Sequence, residues 1–139
     1  MTKEQLYQFI GRHSLAVLAT SSPDNQPEAA LVGIAVTEDL EIVFDTVKTS
    51  RKYQNLLQNP LVALVVGWDY ETTLQLEGEA FELNGPGADK YKEVYFSAFA
   101  DGGQRAETWA GLVHFMIKPR WLKYSNFNEP PVIEEMRFG

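Results

Sequence analysis

A series of short apolar runs, most of them bounded by turn residues, constrains the fold of this chain more than any other feature. Residues 61–66 are apolar at every position, which predicts a strand covered on both faces. Further strands are predicted at residues 15–20, 29–36, 40–46, 73–83, 111–118 and 121–124. So many strands in one short chain predict a small β-barrel, mainly β with a few helices.

Three helices accompany these strands. Thr2 and Gln5 resemble a capping box for a first helix, which Gly11 ends. A short helix begins at Ser50 and stops before Pro60, and a third is predicted at residues 86–100. In the strand at 73–83 the apolar positions change register, which predicts a bulge near Gly78.

Length and composition limit the classes of protein. The 139 residues are 45% hydrophobic, which predicts one domain, residues 1–139, with a substantial core. No segment approaches the roughly 20 apolar residues of a membrane span, and no signal-peptide pattern is present at the N-terminus. Cysteine is absent, which excludes disulfides and thiol chemistry. These features predict a cytoplasmic protein without a membrane partner.

Charge argues against nucleic acid as a partner. The chain carries 19 acidic and 12 basic residues, a net charge of −7, so a phosphate backbone would be repelled. Three of the basic residues, Lys48, Arg51 and Lys52, nevertheless lie within five positions. A local positive region on an acidic protein suits a small anionic ligand.

The start of the second helix is the strongest candidate binding site. Arg51 and Lys52 occupy its first turn, where the helix dipole favours acidic residues instead. A bound phosphate would resolve this conflict, because free N–H groups, the Ser50 hydroxyl and two cations could hold it together. The alternative is two solvated basic residues on a surface helix.

Other candidate residues have ordinary structural explanations. His114 lies in an alternating run, which predicts a core or interface histidine. Trp68 follows a strand end and is the tryptophan placed nearest the site. Residues 101–105 are predicted to be a flexible loop, with a substrate lid carrying Arg105 as the alternative. Residues 129–139 contain two prolines and are predicted to form no compact element, serving as an arm across a partner.

Taken in order, several motifs resemble the pyridoxamine 5′-phosphate oxidase-related flavin-binding split-barrel proteins. The resemblance covers roughly residues 4–127. The motifs are the strand at 29–35, Val43-Phe44-Asp45-Thr46, Ser50-Arg51-Lys52, Asn59-Pro60-Leu61-Val62, Trp68, Gly78 and Lys118-Pro119-Arg120-Trp121. The resemblance implies a six-stranded split β-barrel and a homodimer that binds flavin mononucleotide (FMN) at its subunit interface.

The resemblance also implies a set of cofactor contacts. Arg51 and Lys52 match the pair that binds the ribityl phosphate, beside Ser50. Asp45 and Thr46 match the strand end next to that phosphate. Ala30, Leu31 and Val32 belong to the strand that runs along the flavin ring, and Thr73 matches a frequent polar contact.

Departures from the pattern bear on the substrate. The oxidases proper carry an Arg and a Lys where this chain has Ala30 and Ala35, and an Arg-x-His motif that is not found after Trp121. These differences predict that the chain is not a true pyridoxamine phosphate oxidase.

The resulting hypothesis is an FMN-dependent oxidoreductase acting on a nicotinamide nucleotide or small organic substrate, with no catalytic residue or metal site assigned. Two alternatives remain: a split barrel that binds a deazaflavin or haem, and a non-catalytic flavin-binding or sensing module.

Overall fold

The computed structural model describes all residues, 1–139, as one antiparallel sheet flanked by four helices. The helices are α1 (Lys3–Gly11), α2 (Arg51–Gln58), α3 (Asp89–Ala98) and α4 (Gly102–Thr108). The strands are β1 (Leu15–Ser21), β2 (Pro27–Gly33), β3 (Ala35–Val36), β4 (Ile42–Val47), β5 (Leu61–Val66), β6 (Thr72–Glu82), β7 (Leu112–Asn126) and β8 (Val132–Arg137). No helix is both long and apolar enough to cross a membrane.

The order of strands brings the two edge strands of the sheet, β2 and β3, close together. Strands pair in the order β2-β1-β5-β6-β7-β4-β3, and β8 pairs with β7 outside this path. Since β2 and β3 are separated only by Ile34, the two edges of the sheet belong to almost consecutive residues. The sheet therefore curls on itself, and the predicted mainly-β split-barrel class is confirmed.

The inner face of the sheet carries the core. Inward side chains alternate along β1 and β5, where Ala16, Leu18, Val62, Leu64 and Val66 are all buried. The predicted capping box of α1 is present, and its apolar face joins the same core. A fully buried Leu, Ile or Phe side chain contributes about 1.5–3 kcal/mol relative to its exposed state, so this face holds the barrel together.

The predicted irregularity near Gly78 is confirmed. Gly78 pairs with Pro119, whereas Glu77 pairs with Trp121, so Arg120 is an extra residue in β7. A Cβ at Gly78 would lie 2.5 Å from the Lys118 carbonyl oxygen, which explains glycine at this position. Pro119 lacks an N–H and sits at the point where β7 exchanges its neighbour β4 for β8.

Four predictions of secondary structure were wrong. Residues 101–105 are not a loop, because Asp101 precedes α4 and Arg105 anchors that helix through ion pairs. Residues 129–139 do form an element, because β8 pairs with the second half of β7. The strands predicted at 111–118 and 121–124 are one strand, and the strand predicted at 29–36 is interrupted at Ile34.

Candidate functional site

The start of α2 is joined to the end of β4 by two hydroxyl groups. Ser50 is the N-cap, as predicted, and its Oγ accepts a hydrogen bond from the Tyr53 backbone N–H at 3.2 Å. The Ser50 Oγ also lies 2.9 Å from the Thr46 Oγ1, and either hydroxyl can be the donor. One O–H of the pair is therefore left to donate to a ligand.

A small pocket, called the α2 pocket below, opens beside this helix start. Its volume is about 140 Å³, several times the roughly 30 Å³ of a water molecule, so a phosphate group has room in it. The pocket is lined by Leu18, Thr20, Glu28, Ala29, Ala30, Arg51 and Lys52. The structure thus brings together the predicted pair Arg51 and Lys52 with Ala30 of the predicted flavin strand.

Three polar residues of this region were not predicted as site residues. The buried Asn55 donates through Nδ2 to the Thr20 Oγ1 at 2.9 Å and to the Glu28 Oε1 at 2.8 Å. Glu28 in turn lies 3.4 Å from the Arg51 guanidinium. One signal was available, because Asn55 stands between apolar residues on the inner face of α2 and a buried amide requires partners.

The edge of β2 offers backbone groups to a ligand. Ala30, Leu31 and Val32 pair with β1 on one side, and no strand pairs with their other side. In an antiparallel edge strand, alternate residues direct N–H and C=O groups away from the sheet. This arrangement suits the hydrogen-bonding edge of a planar ring lying along β2.

Asp45, predicted to lie beside the phosphate, is engaged by another residue. Its carboxylate accepts a hydrogen bond from Arg105 of α4 at 3.3 Å, and Arg105 also forms an ion pair with Asp101 at 2.6 Å. The Arg105 side chain is 18% exposed. Asp45 therefore docks α4 on the barrel, while Thr46 is the residue of this strand end that contacts the start of α2.

Two buried groups next to Asp45, Tyr95 and His114, have shifted pKa values. Arg105 donates to the Tyr95 hydroxyl at 3.3 Å, and burial together with the nearby Asp45 charge raises the pKa of Tyr95. His114, opposite Asp45 on β7, is buried against Tyr95 and Phe96, and this burial lowers its pKa. His114 is therefore a core histidine, as predicted, whose Nε2 has no hydrogen-bond partner.

Trp68 and Thr73 lie away from the α2 pocket. They flank the end of β5, where Val66 pairs with Ala16, whereas the pocket is lined by Leu18 and Thr20 of the same strand β1 and by neither Trp68 nor Thr73. Two to four residues of strand span about 7–13 Å. Within one chain the structure does not bring these two predicted contacts to the predicted phosphate site.

The α2 pocket passes a chemical test for the phosphate of FMN. Its lining holds two cations, and the adjoining start of α2 adds free N–H groups and the Thr46–Ser50 pair, which has a hydroxyl that can donate. Together these groups are a donor set for a phosphate ester. Glu28 is the one anionic group in the lining. Neither histidine lines this pocket, so its chemistry fits a flavin phosphate better than a haem iron.

Comparison with known proteins shows the family of this chain. A sequence model of the family described as pyridoxamine 5′-phosphate oxidase matches residues 2–124. The pyridoxine/pyridoxamine 5′-phosphate oxidase of Wolbachia pipientis is 31% identical over 122 residues, which is 87% of this chain and 52% of that protein. The chain spans about a third to a half of the length of the curated relatives it matches.

Solved structures show the same fold. A heme binding protein from Mycobacterium smegmatis aligns with a TM-score of 0.82 and 12% identity, over 99% of this chain and 58% of that one. A pyridoxamine 5′-phosphate oxidase-related, FMN binding protein from Nostoc punctiforme aligns with a TM-score of 0.69 and 10% identity, over 99% and 93%. The fold is therefore shared by proteins described as binding different cofactors.

Proposed function

Because the chain belongs to the pyridoxamine 5′-phosphate oxidase family, we propose that it binds FMN and acts as a flavin-dependent oxidoreductase on a nicotinamide nucleotide or small organic substrate. The observation that carries this proposal is the pocket shared by Arg51, Lys52 and Ala30. FMN, once bound, supplies the redox chemistry, and the protein holds and orients it.

Each part of the site has a separate task in this proposal. Arg51, Lys52 and the first turn of α2 bind the phosphate, and Thr46 with Ser50 adds a hydroxyl donor. The free edge of β2 holds the ring through backbone groups, which fixes its orientation without a charged side chain. No catalytic residue is proposed.

The proposed experiment compares FMN with riboflavin, which lacks the phosphate. We expect FMN to bind at least about tenfold more tightly, because charge-assisted hydrogen bonds contribute about 1.5–3 kcal/mol each. Quenching of flavin fluorescence during titration measures both dissociation constants. Equal constants would contradict the phosphate site.

The absorption spectrum of the purified protein separates the cofactor alternatives, since flavin, deazaflavin and haem differ in their visible bands. Mixing the FMN-loaded protein with NADH or NADPH without oxygen then separates an enzyme from a binding module. Bleaching of the flavin absorbance is expected for the enzyme. A flavin that stays oxidised with both nucleotides would support the sensing module.

The proposed assembly is a homodimer, supported by an apolar face on the outside of β2, β1 and β5. Its outward side chains include Leu31 (59% exposed), Leu61 (48%) and Leu15 (44%). Val17 lies between Leu31 and Val65 in the sheet register, so the apolar surface is continuous across three strands. Contiguous exposed apolar surface of this kind marks an interaction site.

A second copy of the chain is the proposed partner for this face. On the next strand, β6, the outward residues opposite Val65, Ala63 and Leu61 are Gln75, Glu77 and Glu79, which supply a polar rim on that side. In a two-fold dimer each flavin lies close to both subunits, so Trp68 and Thr73 of one subunit can serve the flavin of the other. We expect an interface of roughly 2,000 Å² or more, as in obligate dimers.

Leu31→Asp tests the assembly. Leu31 is the most exposed leucine of the apolar face, so a carboxylate there is expected to turn the dimer into a monomer, because it would be buried without a partner. Leu57→Asp is the matched control, since Leu57 is equally exposed (59%) but lies on α2. Light scattering coupled to size exclusion measures the mass. A wild-type monomer loaded with FMN would contradict the proposed dimer.

A further inference from the structure

Glu28 places a negative charge inside the pocket that is otherwise suited to phosphate. It is the second residue of β2 and pairs with Thr20 across the β1–β2 ladder. Its side chain is only 16% exposed, and its Oε1 accepts the hydrogen bond from the buried Asn55 at 2.8 Å. The carboxylate is therefore held in a fixed position at the pocket wall.

Arg51 is the more exposed partner of this ion pair. Its side chain is 78% exposed, and its Nη1 lies 3.4 Å from the Glu28 Oε2. Of the two cations in the pocket lining, it is the one that the carboxylate engages. A phosphate that enters this pocket must either share Arg51 with Glu28 or draw Arg51 away from Glu28.

We propose that Glu28 is a resident carboxylate that competes with the ligand phosphate for Arg51 and thereby lowers the affinity for phosphorylated flavin. This inference rests on the proposed function, since it needs the α2 pocket to receive that phosphate. The physical reason is that two like charges near one cation repel each other in a partly buried pocket. The effect acts on the phosphate and leaves the ring contacts unchanged.

The competing explanation is that Glu28 only fastens the hairpin to α2. The bond from Asn55 would serve that purpose whether its acceptor were a carboxylate or an amide. Glu28→Gln separates the two, because the amide oxygen still accepts from Asn55 while the charge is lost. The proposal requires a change in phosphate affinity, and fastening alone does not.

The experiment titrates FMN and riboflavin into wild-type protein and Glu28→Gln. We expect the dissociation constant of FMN to fall about tenfold in the variant and that of riboflavin to stay within about twofold. Glu79→Gln is the matched control, because Glu79 pairs with an arginine at 3.2 Å but does not line the α2 pocket. It should change neither constant.

The possible results of these titrations distinguish the role of Glu28 from the phosphate site itself. Unchanged or weaker FMN binding in Glu28→Gln would overturn the role of Glu28, even where wild-type protein prefers FMN to riboflavin. Tighter FMN binding in the variant, with riboflavin binding unchanged, would support it. If neither protein distinguishes the two flavins, both the phosphate site and the inference fail. A thermal melt of each variant confirms that the fold is retained.

Discussion

Removing both cations of the α2 pocket, by Arg51→Ala with Lys52→Ala, is expected to weaken FMN binding at least about tenfold and to leave the fold intact. Each charge-assisted hydrogen bond to a phosphate contributes about 1.5–3 kcal/mol to binding. Because the Arg51 side chain is highly exposed, its contribution lies at the lower end of this range. The fold is spared because neither side chain belongs to the core.

The matched control removes two cations elsewhere. Lys90→Ala with Lys118→Ala changes the net charge equally, and both lysines are exposed and lie outside the pocket. Flavin fluorescence titrations at low and high salt measure the affinities. We expect the salt dependence to decrease in the Arg51–Lys52 variant alone. Equal FMN affinity in wild type and that variant would remove the central claim of the proposed function.

Pyridoxamine phosphate is expected to be turned over at least about a hundredfold less efficiently than by an established pyridoxamine phosphate oxidase measured in parallel. Ala30 and Ala35 stand where the resemblance places an Arg and a Lys, so charge-assisted contacts of about 1.5–3 kcal/mol each are lost. Ala35 is 7% exposed and packs in an apolar cluster with Val43, Leu83 and Tyr95. A cation for a second phosphate is therefore missing there.

The assay follows formation of pyridoxal phosphate by FMN-loaded protein under air. Ala30→Arg is a useful companion variant, because it adds one cation at a position that lines the α2 pocket. Efficient turnover by wild-type protein would show that other residues bind the substrate phosphate. The names of the curated relatives do not decide this question, since the chain spans about a third to a half of their length.

Most of the barrel could be predicted from local pattern. The run at residues 61–66 and the alternation in β1 report which side chains face the core, and Ser50 with Pro60 brackets α2. The register change at Gly78 was visible because apolar residues switch faces there. These features are local, and local periodicity is what a sequence displays most directly.

The errors have a different origin. Val132 to Arg137 form β8 because the second half of β7 has a free edge, and that edge exists only after the barrel has closed. Arg105 sits in a Gly-rich segment typical of a loop, yet its ion pair with Asp45 connects residues 60 positions apart. Long-range partners of this kind override local propensity.

The two cations of the candidate site could be predicted from the sequence, but several other residues that line the pocket could not. Ser50, Arg51 and Lys52 are consecutive, so their conflict with the helix dipole was visible in the sequence. Thr20 and Glu28 reach the same pocket only through the register of the β1–β2 hairpin. The residues that set its net charge therefore became apparent only in three dimensions.

The position of β7 in the sheet has a consequence for synthesis of the protein. β7 lies between β6 and β4, and the interval from Val47 to Leu112 is about 65 residues. At about 5–20 residues per second, a ribosome needs roughly 3–13 seconds to translate that interval. During this time Val43 and Phe44 belong to an unpaired strand edge, which is prone to associate with other chains. Completion of β7, rather than any earlier strand, ends this period of exposure for the nascent chain.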